Sequence, residues 1–167
     1  MRLQVFSDLH LEFGWFEPAL KSPDVVVLAG DIHQGTAGVK WAKQYCRDCP
    51  VIYVMGNHEF YNHSIPDLFQ ALRREAKGNN IHVLENNAFM INDFVFLGCS
   101  LWTNFRLWPD AREAMSVADR EMSDFWLIQK RKATGCSAPR TPRKYTRLQS
   151  GGRRGGCPAM IHRGQLW

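Results

Sequence analysis

Five residues carry the chemistry open to this sequence: Asp8 and His10 in "SDLH", Asp31 in "LAGDIH", and Asn57 and His58 in "GNHE". Asp8 and His10 place a carboxylate and an imidazole two residues apart. In an extended segment positions i and i+2 point the same way, so one metal ion would take both. Gly30 permits a tight turn and close approach, which leaves Asp31 free to bridge two ions. Asn57 supplies a carbonyl oxygen and His58 a nitrogen. Mixed oxygen and nitrogen donors suit Mn, Fe, Zn, Ni or Co better than Ca or Mg. Each piece alone has a plainer meaning. A strand-end aspartate caps a helix or turn, a lone histidine is a hydrogen-bonded structural residue, and Gly-Asn-His is a turn. The set of three, each after a strand and about one βα unit apart, favours a metal centre. Glu59 follows at once, and Asn57, His58 and Glu59 in succession are costly to bury unless they bind something.

The elements that must position these groups are legible in the hydrophobic pattern. Residues 3–8 alternate and then turn polar, residues 24–30 ("DVVVLAG") are a continuous β-branched run, and residues 51–55 are a third apolar run. All three read as strands, the last two buried on both faces. Residues 39–48 have helical spacing, and residues 65–78 form an amphipathic helix closed by Gly78. A short strand at 82–86 precedes a hairpin over 88–100 with its turn at Asn92-Asp93. Residues 110–129 read as a helix interrupted near Ser123. Alternating strands and helices predict an α/β fold with a largely parallel core. Such sheets bind ligands at the carboxyl ends of their strands, where Asp8, Asp31 and Asn57 all fall.

The totals narrow the alternatives. The chain is 45% hydrophobic and 12% aromatic, ample for a packed core. No run of about 18 apolar residues predicts a membrane span, so no membrane partner is expected. The N-terminus lacks the pattern of a signal peptide and reads as cytoplasmic. Five cysteines without such a signal argue against a disulfide framework. Cys46 and Cys49 form a lone C-x-x-C, read as two incidental thiols at a helix end. The net charge of +5 is unevenly placed: nine of the 21 Lys/Arg and none of the 16 Asp/Glu lie beyond residue 130, leaving residues 1–130 at −4. A domain over 1–130 and a basic tail over 131–167 are expected, the tail rich in Gly, Pro, Ser and Thr, without apolar periodicity and mostly disordered. Any nucleic-acid binding would belong to that tail.

The motifs "SDLH", "LAGDIH" and "GNHE" resemble the first three motifs of the calcineurin-like metallophosphoesterases. The likeness is strongest to small bacterial members with "SDLHLEF" near the start and "GNHEFY" in the middle. It covers residues 1 to about 129. It implies an α/β fold of four layers, an α/β/β/α sandwich with only its N-terminal portion present. It further implies two divalent metal ions and a phosphoester substrate. By motif match Asp8 and His10 hold the first metal, Asp31 bridges both, Asn57 binds the second, and His58 is the catalytic histidine beside them. His58 would protonate the leaving oxygen or stabilise it by a hydrogen bond.

Two aromatic-rich segments flank these motifs, 11–18 ("LEFGWFEP") and 100–110 ("SLWTNFRLWPD"). They suit either substrate contact or cover for the sheet edge. Arg106 reads as a surface residue, and His33, His63 and His82 as structural or exposed. Later motifs of the family add a histidine after a further strand and then Gly-His-x-His. Here only His82 and His162 follow His63, and neither stands in such a context. The resemblance therefore implies a first metal short of one histidine, a second short of two, and an open half of the sandwich whose apolar surface invites association. The expectation is a C-terminally truncated family member, or one frameshifted between about residues 127 and 132. Degenerate back-translation of residues 132–150, read from each third codon base, permits an Arg-Pro-x-Asp-Thr segment similar to the family's continuation. A natural basic tail and a sequencing error are the alternatives. The competing functions are a non-catalytic fragment and a nucleic-acid-binding protein acting through the tail.

Overall fold

The computed structural model describes residues 1–107 and 109–129; the basic tail and Trp108 lie outside them. Four short strands form one parallel sheet in the order β1 (Leu3–Phe6), β2 (Val25–Ala29), β3 (Val51–Val54) and β4 (Ile81–Val83). Helix α1 (Ala37–Tyr45) joins β2 to β3, and α2 (Ile65–Ala76) joins β3 to β4. A separate antiparallel hairpin follows, β5 (Asn87–Ile91) and β6 (Phe94–Gly98). Asn92 at its turn takes a positive φ of 52°. The chain then forms α3 (Ala111–Glu121) and α4 (Asp124–Leu127). This is a mixed α/β fold with a parallel sheet flanked by helices, the N-terminal portion of the expected architecture. No helix among the described residues is long and apolar enough to cross a membrane.

The period-2 alternation of strands sorts their side chains onto two faces. Val26 and Leu28 of β2 and Val51 and Tyr53 of β3 point to the helix side, where they pack with Val39, Trp41 and Ala42 of α1 and Leu68, Leu72 and Ala76 of α2. Burial of each large aliphatic side chain there contributes about 1.5–3 kcal/mol. The stripe Leu68, Leu72, Ala76 recurs every four residues, which is why α2 forms and which side it buries. Pro66 suits its first turn, and Gly78 leaves it with a φ of +78°.

Val25, Ile52 and Leu84 face the other way, against Phe89, Ile91 and Phe96 of the hairpin. That cover is partial. Leu3 and Val5 of β1 remain 50% and 58% exposed, and Leu97 of β6 81%. Apolar side chains of β1 and of the hairpin thus stay exposed.

Register brings the strand ends level. Phe6 pairs with Leu28, and Ala29 with Val54. The segments that follow the three strands therefore leave the sheet along one rim. The helix expected over 110–129 is indeed broken: Asp110 caps α3 by accepting from the amides of Arg112 and Glu113, and Met122 ends it in an extended conformation. The α4 turn is tied back to the chain after β3, with Asn62 N donating to Leu127 O at 2.7 Å and Gln129 N to His63 O at 2.9 Å.

Candidate metal centre

The β1 end does not continue as an extended segment. Asp8 and His10 take φ values of +55° and +46°, so the i, i+2 argument for their convergence fails. The loop instead pairs with the one after β2. Asp8 N donates to Gly30 O at 3.1 Å, His10 N to Asp31 O at 3.0 Å and Leu11 N to Ile32 O at 3.0 Å. This curl brings together what extension was expected to. A carboxylate oxygen each from Asp8 and Asp31 and a ring nitrogen of His10 lie within 4.8 Å of one another. Asp31 is also left-handed, with φ +54°. Left-handed backbone costs about 1–3 kcal/mol at a non-glycine residue and collects at functional sites. Here it falls on all three members of the group.

Two glycines let the loops approach. Gly30 has φ +91°, and a Cβ on it would meet Gly56 N at 2.9 Å. A Cβ on Gly56 would collide with the Asp31 carboxylate. Asp31 Oδ1 accepts from the His58 amide at 2.9 Å, which fixes the β3 turn against the β2 turn.

The run Asn57-His58-Glu59 divides into three different roles. Glu59 is fully buried and binds the protein's own backbone. Its carboxylate accepts from Asp31 N at 3.0 Å, Ile32 N at 2.9 Å, Gly56 N at 2.8 Å and Tyr53 Oη at 2.9 Å. Burial raises its pKa against the opposing pull of those donors. Burial likewise holds the Tyr53 phenol well above its ordinary value, helped by the Glu59 charge. Asn57 Nδ2 donates to Asp124 Oδ1 at 2.7 Å and to Tyr61 Oη at 3.2 Å. Tyr61 Oη in turn donates to Asp124 Oδ1 at 2.9 Å. The amide nitrogen is thus committed, and the carbonyl oxygen is the end left for a ligand. His58 joins the β1 loop: its ring centroid is 4.3 Å from that of His10, and its Nδ1 is 2.8 Å from Glu12 Oε1.

Glu12 and Asp124 were not singled out from sequence. Glu12 sits two residues beyond His10 in "HLE", within a segment read only as a pocket-shaping loop. Its pKa is lowered: burial pushes it up, but hydrogen bonds from His58, its own backbone and His10 outweigh that. Asp124 arrives from a turn 67 residues away from Asn57, and no local signal announces it. In the aromatic segment, Phe16 packs on Phe6 and Trp41 and covers the sheet edge. Phe13 is 78% exposed, with its ring centroid 6.1 Å from His10 and 6.4 Å from His58.

Two of the other histidines have partners of their own. His63 Nδ1 bonds Tyr61 O at 2.8 Å, and the His82 ring stacks on Phe89 with centroids 3.6 Å apart. His33 is half-buried and Arg106 exposed. Cys46 caps the end of α1, and both it and Cys49 are buried free thiols. Burial pushes Cys46 up to about 12, which leaves it protonated and unreactive.

The donors match a divalent cation in kind: two carboxylates, an imidazole and an amide oxygen held by its neighbours. The structure is similar to a phosphopantetheinyl hydrolase from Mycobacterium tuberculosis, with a TM-score of 0.56 at 18% identity, over 80% of this chain and 56% of that one. At that identity the likeness concerns the fold. An uncharacterized protein of Acanthamoeba polyphaga mimivirus is 29% identical over 152 residues, 77% of this chain and 52% of the relative. The chain thus spans about half the length of these two relatives. The model of one family, the calcineurin-like phosphoesterases, matches residues 1–112, a span that takes in all three strand-end motifs. On that match, the chain belongs to the calcineurin-like phosphoesterase family.

Proposed function

We propose that this chain carries the N-terminal half of a dinuclear, metal-dependent phosphoester hydrolase. The observation that carries the reading is the convergence of Asp8, His10 and Asp31 within 4.8 Å on the carboxyl rim of the sheet. Asp8 and His10 would hold one ion, Asp31 would bridge to a second, and the Asn57 carbonyl oxygen would hold that second ion. When bound, such ions supply a nucleophilic hydroxide at neutral pH and offset the charge that grows during in-line attack on phosphorus.

The chain's own groups do the rest. Asp31 is oriented by the amide of His58, so its carboxylate cannot swing away. Asn57 is oriented by Asp124 and Tyr61. The His58 imidazole lies beside His10 and would donate a proton or hydrogen bond to the leaving oxygen. Phe13 would shield one side of the two imidazoles from water.

The test is hydrolysis of a chromogenic phosphodiester and a phosphomonoester by the purified chain, with Mn, Zn, Ni, Co and Fe offered in turn. The reading expects metal-dependent turnover that chelation stops and Asp31→Ala abolishes. Turnover that survives either treatment overturns it. Metal binding to the Asp8, His10 and Asp31 group without any turnover would instead make the chain a non-catalytic metal-binding scaffold.

A further inference from the structure

Glu12 is the unassigned residue of this rim. One of its oxygens, Oε1, lies 2.8 Å from His58 Nδ1 and 3.4 Å from His10 Nδ1. The two rings meet edge to face at 4.3 Å, with Glu12 serving both on the same nitrogen. His10's other nitrogen, Nε2, lies 3.9 Å from Asp8 Oδ1. The Glu12 side chain is only 9% exposed, and its second oxygen, Oε2, is buried without a hydrogen bond. A buried acceptor left unmade costs about 1–3 kcal/mol. Glu59 shows how this fold satisfies a carboxylate it keeps for structure alone. Glu12 is not satisfied in that way. Apart from its own amide, its side-chain hydrogen bonds go to the two imidazoles.

We propose that Glu12 is a positioning residue that fixes the tautomer of both His58 and His10. A carboxylate only accepts, so each Nδ1 must carry the proton. Each Nε2 then carries the lone pair. For His10 that is the nitrogen facing Asp8, the form in which an imidazole ligates a metal, with the carboxylate behind it as orienting partner. For His58 the same bond holds the ring's orientation, as the carboxylate of a hydrolase triad does. The inference deepens the proposed hydrolase and rests on it for its purpose, but not for its test.

The experiment is 15N spectroscopy of the full chain, selectively labelled at histidine and freed of metal by chelation. At about pH 8 ordinary imidazoles are neutral and their tautomers distinct. His58→Gln and His10→Gln assign the resonances. Both residues are expected to show a protonated Nδ1 and an unprotonated Nε2. In Glu12→Ala, His58 is expected to lose that signature and shift toward the Nε2–H form. In Glu12→Gln, which keeps an acceptor oxygen, it is expected to stay. Nε2–H on His58 in the unaltered protein overturns the proposal, as does a His58 signature that Glu12→Ala leaves unchanged. An unprotonated Nδ1 on His10 in the unaltered protein likewise overturns the assignment for that ring. If Glu12→Ala does not fold, the unaltered protein and Glu12→Gln decide. The readout needs no turnover, so an inactive chain leaves the proposal standing while the hydrolase reading falls. Where turnover is observed, Glu12→Ala is expected to lower kcat about 10- to 100-fold with KM little changed.

Discussion

The turn after β3 and the loop after β1 lie on the same rim, and both are crowded with polar side chains. In the β3 turn those groups are spent on the protein itself. Glu59 holds the backbone of Asp31, Ile32 and Gly56 together with the Tyr53 hydroxyl. Asn57 is tied to Asp124 and Tyr61. In the β1 loop they are not. Asp8 is exposed, the backbone at Asp8 and His10 is left-handed, and one oxygen of Glu12 is buried without a partner. Among the described residues, Glu12 Oε2 and His33 Nδ1 are the buried side-chain polar atoms without a partner. The first region frames the candidate site, and the second holds groups that the fold leaves open.

That contrast can be broken by measuring stability along the rim. Glu59→Ala strands four buried donors and is expected to cost about 3 kcal/mol or more, read as a fall in urea midpoint. Asp124→Ala removes the acceptor for Asn57 and Tyr61 and is expected to cost about 1–3 kcal/mol, with weaker metal binding because the Asn57 amide is freed to turn. Glu12→Ala is expected to cost about 1 kcal/mol or less, since the orphaned oxygen it removes was a burden. If Glu12→Ala costs as much as Glu59→Ala, the two regions do not differ in kind.

The pH dependence of unfolding in the metal-free protein sharpens the same comparison, because the two glutamates shift in opposite directions. Glu59 is raised above its ordinary 4.5, so the native state binds its proton more tightly and this contribution falls as pH rises from 4.5 through the native value. Relative to the unaltered protein, Glu59→Gln should gain stability as pH climbs through that window. Glu12 is lowered below 4.5, so its contribution is present above 4.5 and is lost as pH falls through the native value. Glu12→Gln should therefore lose relative stability as pH rises toward 4.5. Slopes of the same sign would contradict the assignment. The smallest expected effect is that of Asp8→Asn on stability, within about 0.5 kcal/mol for an exposed group, set against a clear loss of metal affinity in calorimetric titration.

Much of the scaffold was readable in advance. The three strands, both long helices, the hairpin turn at Asn92-Asp93 and the break near Ser123 follow from periodicity and turn chemistry, and the structure has each of them. The convergence of Asp8, His10 and Asp31 was expected for a partly mistaken reason. Asp8 and His10 read as one extended segment, whereas backbone bonds to the loop after β2 curl both into left-handed conformations. Sequence patterns report alternation along one segment and say little about where a neighbouring loop will offer its carbonyls.

By itself the sequence determined that Asp-x-His, Gly-Asp and Gly-Asn-His stand at strand ends in an α/β fold. Those facts depend on local pattern and on the level registration of parallel strands. Only the tertiary structure decided which polar groups remain available. Glu59 and Glu12 look alike in sequence, each following a histidine by one or two residues. One is saturated by amides from the turns after β2 and β3, and the other is left with two imidazoles and an unused oxygen. The difference turns on partners that include Ile32, 27 residues from Glu59, and His58, 46 residues from Glu12. A carboxylate's role depends on which donors the fold brings to it, and those donors come together only when the chain is packed.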